Sequence, residues 1–129
     1  MKKKKPKKIT LKKLKEKADN VFSKWIRIRD NAVCFTCGKI LGLKESQNGH
    51  YMSRRHLNTR YDEKNCHCQC CSCNIFQNGN MQIYAIRLQE KYGQGILKEL
   101  FRKAHTIKKA DRKFYEEIIL KYGNPNFEI

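Results

Sequence analysis

The chain has 129 residues, enough for one domain with a modest core rather than a deep one. Its 29 Lys and Arg against 12 Asp and Glu leave a net charge of +17, which points to a polyanionic partner, nucleic acid before an anionic membrane surface. A membrane-spanning helix is excluded, because no apolar run approaches the ~20 residues one requires.

Residues 1–17 carry ten Lys and one Glu, or +9, so residues 18–129 carry the remaining +8. Residues 1–10 read as a flexible basic arm, which a solvated role would explain equally well. The basic body argues more strongly for a nucleic-acid surface than the arm does. "MKKKKPKK" lacks an apolar stretch behind its charges, so it does not read as a signal peptide and the expected location is cytoplasmic.

Residues 11–129 are expected to form a single domain. From Leu11, apolar residues recur at Leu14, Ala18, Val21, Phe22, Trp25 and Ile28, which predicts an amphipathic helix ending near Arg29–Asp30. Its stripe should pack on the domain, with Lys24, Arg27 and Arg29 left for phosphate. Residues 33–73 lack helical periodicity and read as a knuckle, "CFTCGK", then two strands containing "GHYM" and "NCHCQC" around an exposed basic loop. Three helices follow. "MQIYAIRLQEKYG" should stop at Gly93, "GILKELFRKAH" repeats apolar residues at helical spacing, and "DRKFYEEIILKYGNP" should run from Asp111 to Gly123. Tyr84, Tyr92, Phe114 and Tyr122 are read as core aromatics. The fold class is therefore α+β.

Seven cysteines in a reducing compartment cannot all pair, so metal ligation is the better default. Cys34/Cys37 form one CxxC pair, and Cys68/Cys71 and Cys70/Cys73 are overlapping pairs downstream. A tetrahedral four-sulfur zinc site needs one pair from each end, and spacing alone does not choose the downstream frame. An iron–sulfur or redox protein is the remote competitor.

With Cys70/Cys73 as the second pair, Asn65 stands five residues ahead of it, Asn74 directly behind it, and "GHY" lies upstream. This resembles the HNH nuclease arrangement, whose zinc-stapled members carry two CxxC pairs, the second just before the final motif residue. The resemblance implies a ββα-metal core with structural zinc on Cys34, Cys37, Cys70 and Cys73, flanked by helices. It also implies three motif residues, His50, Asn65 and Asn74.

"FSKWIRIRD", "CFTCGK", "GHYMSR", "NCHCQCCSCN" and "NGNMQIYAIRLQEKYG" occur in this order. Together they resemble the phage NinG/Rap recombination family, over roughly residues 18–100. Its members act on branched DNA such as Holliday junctions, in the host cytoplasm, and junction-cutting enzymes often work as homodimers. The resemblance implies a metal-dependent endonuclease. His50 would take a proton from water, being largely neutral near its ordinary pKa of ~6.5. Asn65 would orient His50 or its loop, and Asn74 would offer an oxygen to a catalytic Mg²⁺ or Mn²⁺. Arg54, Arg55 and Arg60 would contact phosphates. Related nucleases place an acid immediately before the catalytic His, where this chain has Gly49. Glu45, Asp62, Glu63 and, for a softer metal, His67 are the candidate replacements. Cys66, Cys68 and Cys71 match no usual zinc ligand of the family and, with His56 and His105, are assigned no role. The alternative is a non-catalytic zinc ribbon that binds nucleic acid.

Overall fold

The computed structural model describes residues 8–123. Most of the expected basic arm, residues 1–7, lies outside the described residues. Helix α1 spans Leu11–Arg29, and Thr10 caps it by accepting a hydrogen bond from the Lys13 amide at 3.2 Å. Its buried stripe is Leu14, Ala18, Phe22 and Ile26, so Ile26 rather than Ile28 completes the inward face. The knuckle follows, then a one-turn 3₁₀ helix at Leu43–Glu45. Strand β1 (Ser46–His50) pairs antiparallel with β2 (Cys66–Cys70), His50 opposite Cys66 and Ser46 opposite Cys70. Between them lies the one-turn helix α2, Leu57–Arg60. A single π-type turn, Ser72–Phe76, leads to α3 (Met81–Tyr92), α4 (Ile96–Ala104) and α5 (Arg112–Tyr122).

The fold is α+β, with one two-stranded sheet among the described residues. All five residues of β2 are buried. The strand alternates Cys with His and Gln, yet burial does not alternate, because α1 crosses one face of the sheet and His67 and Gln69 are covered on the other.

The first core joins α1 to α5 through Phe22, Tyr61, Tyr115 and Tyr122, with Phe22 edge-on to Tyr122 at 4.8 Å. Full burial of one such aromatic contributes about 1.5–3 kcal/mol. The second core holds Tyr84, Leu88, Ile96 and Leu100, with Phe35 and Tyr51 packed against it. Tyr84 and Tyr122 are therefore core residues as expected, while Tyr92 and Phe114 are half-buried at the edges. Asp111 caps α5 by accepting from the Phe114 amide at 2.9 Å, and Gly93 ends α3 at φ +96°, a conformation that favours glycine. No helix of the described residues is long and apolar enough to cross a membrane.

Of the arginines expected to face phosphate, Arg29 turns inward, while Arg27 stays half-buried at the surface. Arg29 donates to the Glu63 and Cys66 carbonyls at 2.7 and 2.8 Å and to Asp30 at 2.8 Å. Arg27 donates to Ser23 and to the Leu43 carbonyl. Buried carbonyls at the start of β2 need donors, and a guanidinium supplies several at once.

Candidate active site and metal centre

The knuckle is a tight turn held by the Gly38 amide on the Cys34 carbonyl and the Cys34 amide on the Lys39 carbonyl, at 2.8 and 2.9 Å. Gly38 sits at φ +79°, which only a residue without a Cβ adopts cheaply. This turn presents Cys34 and Cys37 to the end of β2, where the chain turns from Cys70 to Cys73. The four sulfurs all lie within 4.8 Å of one another, and the Cys37–Cys70 pair is 3.7 Å apart. A tetrahedral zinc with Zn–S bonds of ~2.3 Å separates its sulfurs by about 3.8 Å, so this donor set fits the ion. The Cys73 amide points at Cys70 Sγ, and Asn80 Nδ2 at Cys73 Sγ. Burial opposes ionisation of Cys34, but the Thr36 hydroxyl and nearby backbone N–H groups outweigh it and bring the thiol down to about 6.

The Cys70/Cys73 frame has a physical reason. Cys68 lies within β2, opposite Asn48, with its amide donated to Asp30 at 2.8 Å. A Cys68/Cys71 pair would need its turn inside the strand. Cys66 and Cys68 are instead buried packing residues, and Cys71 is half-buried beside the cluster.

His50 ends β1 and lines a cleft of about 350 Å³ with Asp19, Ser23, Asn48, Arg54 and Arg60. Its Nε2 lies 2.9 Å from the Arg60 carbonyl. A carbonyl only accepts, so Nε2 carries the hydrogen and Nδ1 keeps its lone pair, without a hydrogen-bond partner among the described residues. Burial drives the His50 pKa down to about 4, against the opposing pull of that hydrogen bond and with help from Arg54 and Arg60. The imidazole is therefore neutral over a wider range than its unperturbed value suggests.

Asn65 is fully buried and wholly engaged. Its Oδ1 accepts from the Met52 amide at 2.7 Å, and its Nδ2 donates to the Met52 and Thr59 carbonyls at 3.1 and 3.0 Å. It clasps the loop that follows His50. Asn74 reaches β1 at Gln47, donating to Oε1 at 2.8 Å, three residues before His50 and on the other strand face. The structure does not bring the Asn74 and His50 side chains into contact.

The basic loop divides. Arg54 and Arg55 are exposed, whereas Arg60 is buried and grips Asp19 with two nitrogens at 2.9 and 2.6 Å. Arg60 therefore does not lie on an open phosphate surface. Sequence reasoning missed Asp19, which also accepts from Tyr61 at 2.8 Å and Arg54 at 3.2 Å. Its position on the polar side of the α1 stripe was the available signal.

Gly49 has a steric reason. A Cβ there would collide with Gln69 Oε1 and lie 2.5 Å from its Cδ. Gln69 is fully buried and held by bonds to Thr36 Oγ1 and the Gly79 carbonyl at 3.1 and 2.9 Å. None of the expected replacement ligands enters the cleft. Asp62 binds Lys103, Glu63 binds Lys121 and Tyr122, and Glu45 lies on the cysteine side. His67 is buried between Tyr84 and Tyr92. Asp19 is the one acid of the described residues lining the cleft, and its oxygens are taken up by four donors. The described residues thus do not assemble a divalent-cation site around His50. His105 ends α4, and its ring faces that of His56 at 4.9 Å.

A small α+β chain with a four-cysteine site suited to zinc beside a histidine-lined basic cleft is the class that this geometry defines. The family model described as "Bacteriophage Lambda NinG protein" matches residues 1–125, and the chain belongs to the NinG family. Over 87 residues it is 31% identical to Protein ninG of Escherichia phage 933W, covering 66% of this chain and 43% of that protein. Protein ninG of Salmonella phage P22 is 31% identical and that of Escherichia phage lambda 30%, each match covering 66% of this chain and 42% of the relative. The matched segment thus spans less than half the length of these relatives. No solved structure matches the chain.

Proposed function

We propose that this chain is an endonuclease acting on DNA in the host-cell cytoplasm, selective for branched recombination intermediates such as Holliday junctions, on an HNH-like ββα-metal core. The observation that carries the hydrolytic step is His50, kept neutral by burial and set in the Nε2–H tautomer by the Arg60 carbonyl, with Nδ1 carrying its lone pair. Nδ1 takes the proton from a water as its oxygen attacks phosphorus, the bond from phosphorus to the 3′ oxygen breaks, and that oxygen takes a proton from solvent to leave as a hydroxyl. Asn65 keeps the loop beyond His50 from shifting, and Arg54 supplies positive charge on the cleft wall. Structural zinc on Cys34, Cys37, Cys70 and Cys73 holds the knuckle to the end of β2. The Mg²⁺ or Mn²⁺ implied by the HNH resemblance has the Asn74 carboxamide as its one expected donor and no free carboxylate beside it. His50 accordingly carries the whole of the step described here. Branch selectivity and a homodimeric assembly rest on the family resemblance.

A non-catalytic zinc ribbon that binds nucleic acid is the second reading, favoured by the blocked position at Gly49. The deciding experiment incubates the protein and its His50→Ala variant with a labelled four-way junction and a matched duplex, in Mg²⁺, Mn²⁺ or EDTA. Junction cleavage lost in the variant is the expected result. Equal cutting of both substrates removes the selectivity, and tight binding without cleavage under any metal favours the ribbon.

A further inference from the structure

Tyr84 of α3 is fully buried, and its hydroxyl lies 2.7 Å from the Gly49 carbonyl, 3.3 Å from the Asn65 carbonyl and 3.1 Å from His67 Nδ1. A phenol has one proton and a carbonyl only accepts, so that proton goes to Gly49, the shortest of the three. His67 Nδ1 must then carry a hydrogen and donate it to the Tyr84 oxygen. That leaves Nε2 as the acceptor, and the Tyr92 hydroxyl stands 2.9 Å from it. The bonds therefore run in one direction, from Tyr92 through His67 and Tyr84 to Gly49.

The last acceptor matters because of where it stands. The Gly49 carbonyl, the His50 nitrogen and the His50 Cα share one rigid peptide plane. Fixing the carbonyl oxygen therefore fixes the plane from which the His50 side chain departs. The other end of the chain is tied to the metal centre. Phe35, between Cys34 and Cys37, stacks on the His67 ring at 4.0 Å, and its amide donates to the Cys68 carbonyl at 2.8 Å.

We infer that Tyr84 is a positioning residue for His50, with its hydroxyl aimed by His67 and the knuckle's Phe35; this rests on the nuclease reading of His50. Tyr84 touches neither the cleft nor the attacking water, so it acts only through the Gly49 peptide.

The test compares the full chain with its Tyr84→Phe variant, which loses one oxygen and keeps the ring. Zinc content and junction KM should stay at wild-type values while kcat falls about tenfold or more, as a misplaced base would cause. In parallel, NMR titration of His50 should show its midpoint rising as the strand end admits water. Asp19, Arg54 and Arg60 face His50 from α1 and the loop and are unaltered in the variant, so a shift reports changed placement and solvation. If Tyr84→Phe does not fold, Tyr92→Phe, at the half-buried start of the chain, should change both readouts in the same direction by less. Wild-type kcat together with an unmoved His50 titration overturns the inference. A moved titration in a protein that cuts nothing upholds the positioning and removes the nuclease reading.

Discussion

Gly49 is the residue at which steric packing and chemistry conflict. A carboxylate at that position is what the HNH resemblance calls for, yet Gln69 occupies the space a Cβ would need. Gly49→Asp is therefore expected to destabilise the fold, by about 1–3 kcal/mol for overpacking, and to leave cleavage unimproved. Gly49→Asp combined with Gln69→Ala removes the overlap but strips the Gly79 carbonyl of its Gln69 donor, so it should recover only part of the lost stability in thermal melts. A single Gly49→Asp variant with wild-type stability would contradict the packing argument. At the neighbouring position, the low pKa of His50 carries a sign. A base works in its neutral form, which prevails above its pKa, so depression to about 4 extends the working range downward. The cleavage rate should stay level from pH 8 to about 5.5, where an imidazole at its ordinary ~6.5 would already have lost most of its neutral form. A bend near 6.5 in the pH–rate profile would show that His50 is hydrated rather than buried.

At the scale of the element, the segment between the strands is a clamped loop with one exposed edge. Asn65 holds it from within, α2 packs against α4, and Arg60 ties it to α1 through Asp19. Arg54 and Arg55 remain on the surface. Replacing both with Gln should flatten the salt dependence of DNA binding by about two units, at roughly 0.9 per lost phosphate contact, with only a small drop in melting temperature from the exposed Arg54–Asp19 pair. Arg60→Gln should do the reverse: it leaves the part-buried Asp19 with only Tyr61 and the exposed Arg54 as donors, a loss of about 1–3 kcal/mol seen as a lower melting temperature. If Arg60→Gln instead changes only the salt slope, the ion pair with Asp19 is not structural. The terminal helices α1 and α5 turn their apolar faces on each other.

In the molecule as a whole, two small cores meet across a two-stranded sheet, and the four-cysteine site joins the knuckle to the sheet's end. Zinc binding in units of this size contributes on the order of 10 kcal/mol to folding. Chelator-stripped protein should therefore lose the near-ultraviolet circular dichroism of its packed aromatics, Phe35 and Tyr84 among them, and recover it on adding Zn²⁺. The α1–α5 pair has its own aromatic core and should keep part of its helical signal. An unchanged near-ultraviolet spectrum after zinc removal would mean that the sheet stands without the metal.

The helices, the caps at Asp111 and Gly93, the knuckle and the paired strands were legible in the sequence. The helices, caps and knuckle rest on contacts between residues three to a few positions apart, which spacing records directly, while the strands were read from the loss of helical periodicity over residues 33–73. The sequence by itself also determined the polyanion-seeking charge and the need for one CxxC pair from each end. Only the tertiary structure decided the rest. It showed why Cys70 rather than Cys68 opens the second pair, since Cys68 is held inside a strand. It turned Arg29 and Arg60 inward, set His50 half-buried in its cleft, revealed Gln69 over Gly49 and aligned Tyr92, His67 and Tyr84. These depend on partners such as Asp19 and Arg60, 41 positions apart, that only folding brings together. Burial and hydrogen-bond direction set their chemistry, and both are properties of the packed interior rather than of any local run of residues.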